Sequence, residues 1–106
     1  MTRLELIRLI GDVIIEVDVL RSDFPRHTEE RNRLDDLRDD LDNSQRRLVR
    51  KVIDENTPRF KKLTASLKKV NTELRQTINE VSKIAETLQS LIKFVGAVQK
   101  IVELIH

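Results

Sequence analysis

From Phe60 to Ile105 apolar side chains recur in alternating steps of three and four residues. The members are Phe60, Leu63, Leu67, Val70, Leu74, Thr77, Val81, Ile84, Leu88, Leu91, Val95, Val98, Val102 and Ile105, with Thr77 the one polar position. That alternation keeps a single stripe on one side of an α-helix, the a/d seam of a coiled coil. No proline interrupts it, so the spacing predicts one long helix over 58–105, roughly 70 Å in length at about 1.5 Å per residue. Such a helix is unstable alone and needs a partner for its seam.

Two further helices precede it. Over 3–22, Leu6, Ile10, Val13, Val17 and Leu20 form a seam, which Leu4, Ile7, Leu9, Ile14, Ile15 and Val19 widen beyond a two-helix contact. A face so broad implies more than one neighbour. Gly11 costs about 1 kcal/mol of helix propensity against Ala, which points to a close helix approach. Pro25 breaks the pattern and suits the first position of a second helix over 26–54. That helix has a thinner seam of Leu34, Leu37, Leu41, Leu48 and Val52, and a surface of mixed charges at i,i+3 and i,i+4 spacing. Thr57 and Pro58 then read as the cap and first residue of the long helix.

Folding the chain at residues 55–57 places Val52 opposite Phe60, Leu41 opposite Val70 and Phe24 opposite Leu88, with Arg33 beside Glu80. The expectation is an all-α protein, a single domain over 1–106, built as a long antiparallel hairpin whose first arm bends near Pro25. The alternative is a compact three- or four-helix bundle. The broad faces of 4–24 and 84–105 exceed what one hairpin buries, and large apolar patches rarely stay exposed on a monomer. Two hairpins joined at that end would form a four-helix bundle. Ile10, Ile14, Val17, Leu91, Ile92, Phe94, Val98 and Ile101 are therefore expected at a homodimer interface.

Composition supports the helical reading: 39% hydrophobic, 36% charged, two Gly, two Pro, and no Trp, Tyr or Cys among 106 residues. Without cysteine there is no disulfide, thiol nucleophile or thiolate metal site. No segment reads as a signal peptide or a membrane span, and the expected location is cytoplasmic. The net charge of +2 hides an asymmetry: residues 1–24 carry three basic and five acidic side chains, residues 58–106 nine and four. Complementary helix pairing accounts for such a split.

No catalytic, cofactor or metal site is expected. His27 lies beside a break and His106 at the terminus, and neither has a nucleophile or carboxylate set around it. The acidic group Asp35, Asp36, Asp39, Asp40 and Asp42 is interspersed with arginines and lacks the loop of a calcium site. Gly11 and Gly96 stand alone, so no phosphate loop exists. Lys61, Lys62, Lys68, Lys69, Arg75 and Lys83 form a basic stripe able to contact a polyanion, without aromatics for base stacking. The function expected is a non-enzymatic, self-associating assembly, adaptor or regulatory module, with a further protein partner as a second expected contact. The alternatives are a membrane-active helical bundle and a nucleic-acid-associated subunit.

Overall fold

In the computed structural model, which describes residues 1–105, four α-helices follow one another: α1 (Arg3–Arg21), α2 (Glu29–Arg50), α3 (Pro58–Arg75) and α4 (Ile84–Val102). A short 3-10 turn over Val81–Lys83 leads into α4. No strand occurs among the described residues.

Three helices start on a threonine. Thr2 and Glu5 form a reciprocal capping box on α1, Thr28 accepts from the Arg31 amide at α2, and Thr57 accepts from the Phe60 amide at α3, with Pro58 at the first position. Each satisfies amides that the first turn leaves without a helical partner. The expected start of the second helix at Pro25 is corrected to Glu29. Pro25 instead lies in the turn, its carbonyl accepting from both the amide and the hydroxyl of Thr28. His27 closes this turn with φ 71°, a left-handed conformation that histidine tolerates better than most residues. At the other end α2 stops at Arg50, and extended backbone at Lys51 carries Ile53 into the core.

The long helix expected over 58–105 is two helices. Chain reversal occupies residues 76–80, around Thr77, the polar member of the seam. Thr77 and Asn79 are weak helix formers beside the neighbouring Leu, Arg, Gln and Glu. The turn is also built: Ile78 is buried beneath it, and the Thr87 hydroxyl donates to that of Thr77 at 2.9 Å. Reversal lets the broad apolar face of α4 be covered within the same chain. The molecule measures 42 × 24 × 17 Å, well short of a hairpin with an unbroken second arm.

Helices α1 and α2 pack antiparallel. Arg3 donates to the Leu48 carbonyl at one end, Gln45 to the Ile7 carbonyl midway, and Arg38 pairs with Asp18 near the other. Helices α3 and α4 are also antiparallel, with Glu73 beside Lys93. Helix α4 lies along α2 in the same direction, since Glu29–Arg33 flank Ile84–Ile92 and Asp40–Arg47 flank Gln99–Glu103. An ion pair between Arg75 and Glu16 joins α3 to α1 and closes the ring in the order α1–α2–α4–α3. The all-α helical bundle therefore takes its compact form. The hairpin pairings are not made: Val52 is exposed, Arg33 pairs with Glu29, and Glu80 pairs with Lys83.

The core runs the length of the bundle, from Leu6, Leu48, Phe60 and Ile101 to Leu20, Leu34, Leu74 and Leu88. At the α1–α2 corner Asp18, Arg21, Arg31, Arg38 and Asp35 form a network in which Arg31 also caps the Arg21 and Phe24 carbonyls. Hydrogen bonds from Arg21 first, and then from Arg31, hold the Asp35 carboxyl below its ordinary value of 3.8.

Two outcomes follow. Ile14→Asp or Ile101→Asp buries an unpaired carboxylate at a cost of roughly 3–5 kcal/mol, a large share of a small domain's stability. Each should show loss of helicity and cooperative melting by circular dichroism, not a folded monomer. Because Asp35 has a folded pKa below its unfolded one, its contribution is present above the unfolded value and lost as pH falls through the folded value. The melting advantage of wild type over Asp35→Asn should hold from about pH 7 to about pH 5 and shrink below about pH 4. A gap that widened with acid would contradict this.

Candidate functional site

Of the eight residues expected at an oligomer interface, Ile10, Ile14, Val17, Leu91, Phe94, Val98 and Ile101 are buried inside the single chain. Their apolar faces are covered by neighbouring helices, so none of the seven is on a surface a second molecule reaches. Ile92 alone remains outside, 48% exposed.

Ile92 stands on an uncharged strip. Ala85, Gln89, Ile92, Gly96 and Gln99 follow at steps of four and three along the outer face of α4, in a chain of which 36% is charged. Beside the strip, α2 and α4 leave a groove of about 280 Å³, with Ile84, Ala85, Leu88 and Ile92 on one side and Glu29, Glu30 and Arg33 on the other. Arg33 reaches Glu29 only at 3.8 Å, with both side chains well exposed. On the opposite flank Lys93 lies 4.0 Å from Glu73, also exposed. Exposed pairs of this kind contribute little and are free to exchange partners.

The two glycines differ in kind. A Cβ on Gly11 would come within 3.0 Å of the Gln45 amide nitrogen, which donates to the Ile7 carbonyl, so Gly11 admits that side chain as its close-approach reading implies. A Cβ on Gly96 would meet nothing within 4 Å. The packing of its own chain gives Gly96 no role.

A second apolar surface lies at the far end of α1, where Ile15 and Val19, 63% and 65% exposed, sit with Val81 over Leu20 and Ile78. Its flanks carry Glu16 and Asp23. The hydrophobic pattern did not separate Ile15 and Val19 from the buried face, because α1 is apolar over most of its circumference.

The basic stripe divides. Arg75 is held by Glu16 and bonds Asn71, and Lys83 pairs with Glu80. Lys61, Lys62, Lys68 and Lys69 are exposed on α3, and none is in an ion pair among the described residues. Arg59, which the stripe omitted, belongs with them: it too is exposed and outside every such pair. Of Asp35, Asp36, Asp39, Asp40 and Asp42, Asp35 and Asp42 are engaged by arginines. His27 occupies the exposed turn before α2, and His106 lies outside the described residues. Among the described residues no group of three His, Cys, Asp or Glu side chains is placed to hold a metal ion, and no helix is long and apolar enough to cross a membrane.

No protein-family model matches the chain, and no curated protein or solved structure matches it either, so function is argued from these surfaces.

Since Gly96 sits in a helix interior with open space around it, Gly96→Ala should stabilise the isolated chain by up to about 1 kcal/mol. Thermal melting at low protein concentration should move upward by a few degrees. A fall would place a neighbouring group against Gly96.

Proposed function

We propose that this protein is a non-enzymatic assembly module that pairs with a second copy of itself through the outer face of α4. The observation that carries the reading is Ile92, exposed beside the apolar groove of Ile84, Ala85 and Leu88. Two such faces related by a two-fold axis are self-complementary. With the α4 helices antiparallel and crossing near Gln89, Ile92 of each copy meets Ala85 and the groove of the other. The small side chain at Ala85 permits close approach.

Charge favours this orientation over a parallel one. Antiparallel pairing brings Arg33 of one copy to the level of Glu29 and Glu30 of the other, and Glu86 to the level of Lys93. Parallel pairing would stack each charge on its like. The Ile15–Val19–Val81 surface is less suited to self-pairing, because Glu16 and Asp23 would meet their own copies across a two-fold axis.

One helix pair with a charged rim lies at the small end of specific interfaces, below about 1,200 Å², where association is weak and reversible. Mass measured by light scattering should therefore rise with concentration toward that of a dimer. Ile92→Glu should keep wild-type helicity and remain monomeric, since the position is already half exposed. Arg33→Glu should weaken pairing, and adding Glu29→Arg and Glu30→Arg should restore it. Dimerisation that survives Ile92→Glu, or a charge swap that rescues nothing, would reject the α4 face and its antiparallel orientation.

A further inference from the structure

A separate surface remains, on the helix beyond α4. We propose that the outer face of α3 binds the phosphate backbone of duplex DNA without reading its sequence.

The sequence from Thr57 to Thr72 contains Arg59, Lys61, Lys62, Lys68 and Lys69 and no acidic residue. From Arg3 to Asp42 cations and carboxylates are interleaved, and Arg21, Arg31, Arg33 and Arg38 each lie within 4 Å of an acidic partner; a second acid-free run, over residues 43–53, has Arg46 paired with Asp42. The five α3 cations have none among the described residues. Nearby negative charge is sparse: Glu55 is engaged by the Arg3 amide, Glu5, which feels Lys68 weakly, is committed to its cap at Thr2, and Glu73, four residues after Lys69, lies 4.0 Å from Lys93.

Spacing makes these cations a surface. Lys61 and Lys68 are seven residues apart, as are Lys62 and Lys69, so two lysine pairs project from one side about 10 Å apart along the axis. Ala65 and Ser66 between them, and Thr72 one turn beyond, are exposed and small, so nothing bulky holds the helix away from a flat or grooved anion. Phosphates are bound by such cations with release of condensed counterions.

The rest of the face selects among polyanions. It has no exposed aromatic side chain for stacking unpaired bases, which disfavours single strands. None of the large exposed hydrophobic residues lies on α3, so there is no wedge for insertion into a bilayer. An α-helix fits the major groove of B-form DNA but not the deep, narrow one of duplex RNA.

The test is fluorescence anisotropy with a labelled duplex of about 20 base pairs and mixed sequence, titrated at about 50 and about 200 mM NaCl. Four or five neutralised phosphates predict affinity falling roughly 150- to 500-fold between those salt concentrations. Replacing Lys61, Lys62, Lys68 and Lys69 by Gln should abolish most binding and flatten the salt dependence, while replacing all four by Arg should preserve both. A control removing equal charge elsewhere, with Arg8, Arg26, Lys83 and Lys100 changed to Gln, should lose far less. The Ile92→Glu chain should still bind, which separates this surface from pairing through α4. The proposal is overturned by salt-independent affinity, by equal losses in the Gln variant and the control, or by binding to phosphatidylserine-containing vesicles with none to the duplex.

Discussion

Everything in this bundle depends on the reversal between α3 and α4. An unbroken helix over 58–105 would carry an apolar stripe broader at its second end than any one neighbour covers. Breaking it at residues 76–80 converts that excess into a fourth helix, which lies between α2 and α3 and supplies Leu88, Leu91, Phe94, Val95, Val98, Ile101 and Val102 to the core. The turn gives up helical hydrogen bonds and recovers part of the loss through Ile78 burial and the Thr77–Thr87 contact. Helix α1 has its wide face covered within the same chain too, with Leu6, Ile10, Val13, Ile14, Val17 and Leu20 buried and the edge at Leu4, Ile15 and Val19 exposed.

Charge then fixes how the first two helices meet. The α1–α2 corner has Pro25 within its turn but no glycine exit, and an arginine holds it: Arg31 donates to the last carbonyl of α1, at Arg21, and to that of Phe24 in the turn, while also holding Asp35. Arg21 and Arg38 complete the latch through Asp35 and Asp18. The dense charge of α2 is thus partly directed inward to its neighbour. On α3, Arg75 reaches Glu16 in the same way, but Arg59, Lys61, Lys62, Lys68 and Lys69 have no such partner among the described residues.

The helical character of the chain, the threonine cap at Thr57 and nearly all of the core positions were legible in the residue pattern, because burial at steps of three and four leaves a mark that single substitutions do not hide. Topology was not. An a/d seam specifies that a partner exists, not whether it is another chain, another helix or the same helix folded back. Thr77 was the one visible irregularity, and a single polar residue in a seam is as compatible with a continuous coiled coil as with a turn. The misassignment of Ile10, Ile14, Val17, Leu91, Phe94, Val98 and Ile101 to an interface follows from that one choice. Nor did the chain show which of the basic-stripe residues had partners, since Arg75 and Glu16 are far apart in sequence and meet only through the packing of α3 on α1.

Residues that an isolated chain does not need are the informative ones once topology is known. Ile92 is a large hydrophobic side chain left in water, and Gly96 weakens a helix with no neighbour to accommodate. Lys61, Lys62, Lys68 and Lys69 on α3 repel one another, and none is in an ion pair among the described residues. Natural sequences tend to agree with their folds at every level, and local disagreements concentrate where something other than folding is being served. Two of these disagreements fall on adjoining helices, α3 and α4. They differ in chemistry: one face is uncharged and grooved, the other cationic and smooth. A single partner would not satisfy both, because an apolar contact demands desolvation that a phosphate surface resists. Two separate contacts account for them with fewer assumptions than one, and each can be removed without disturbing the core that holds the other in place.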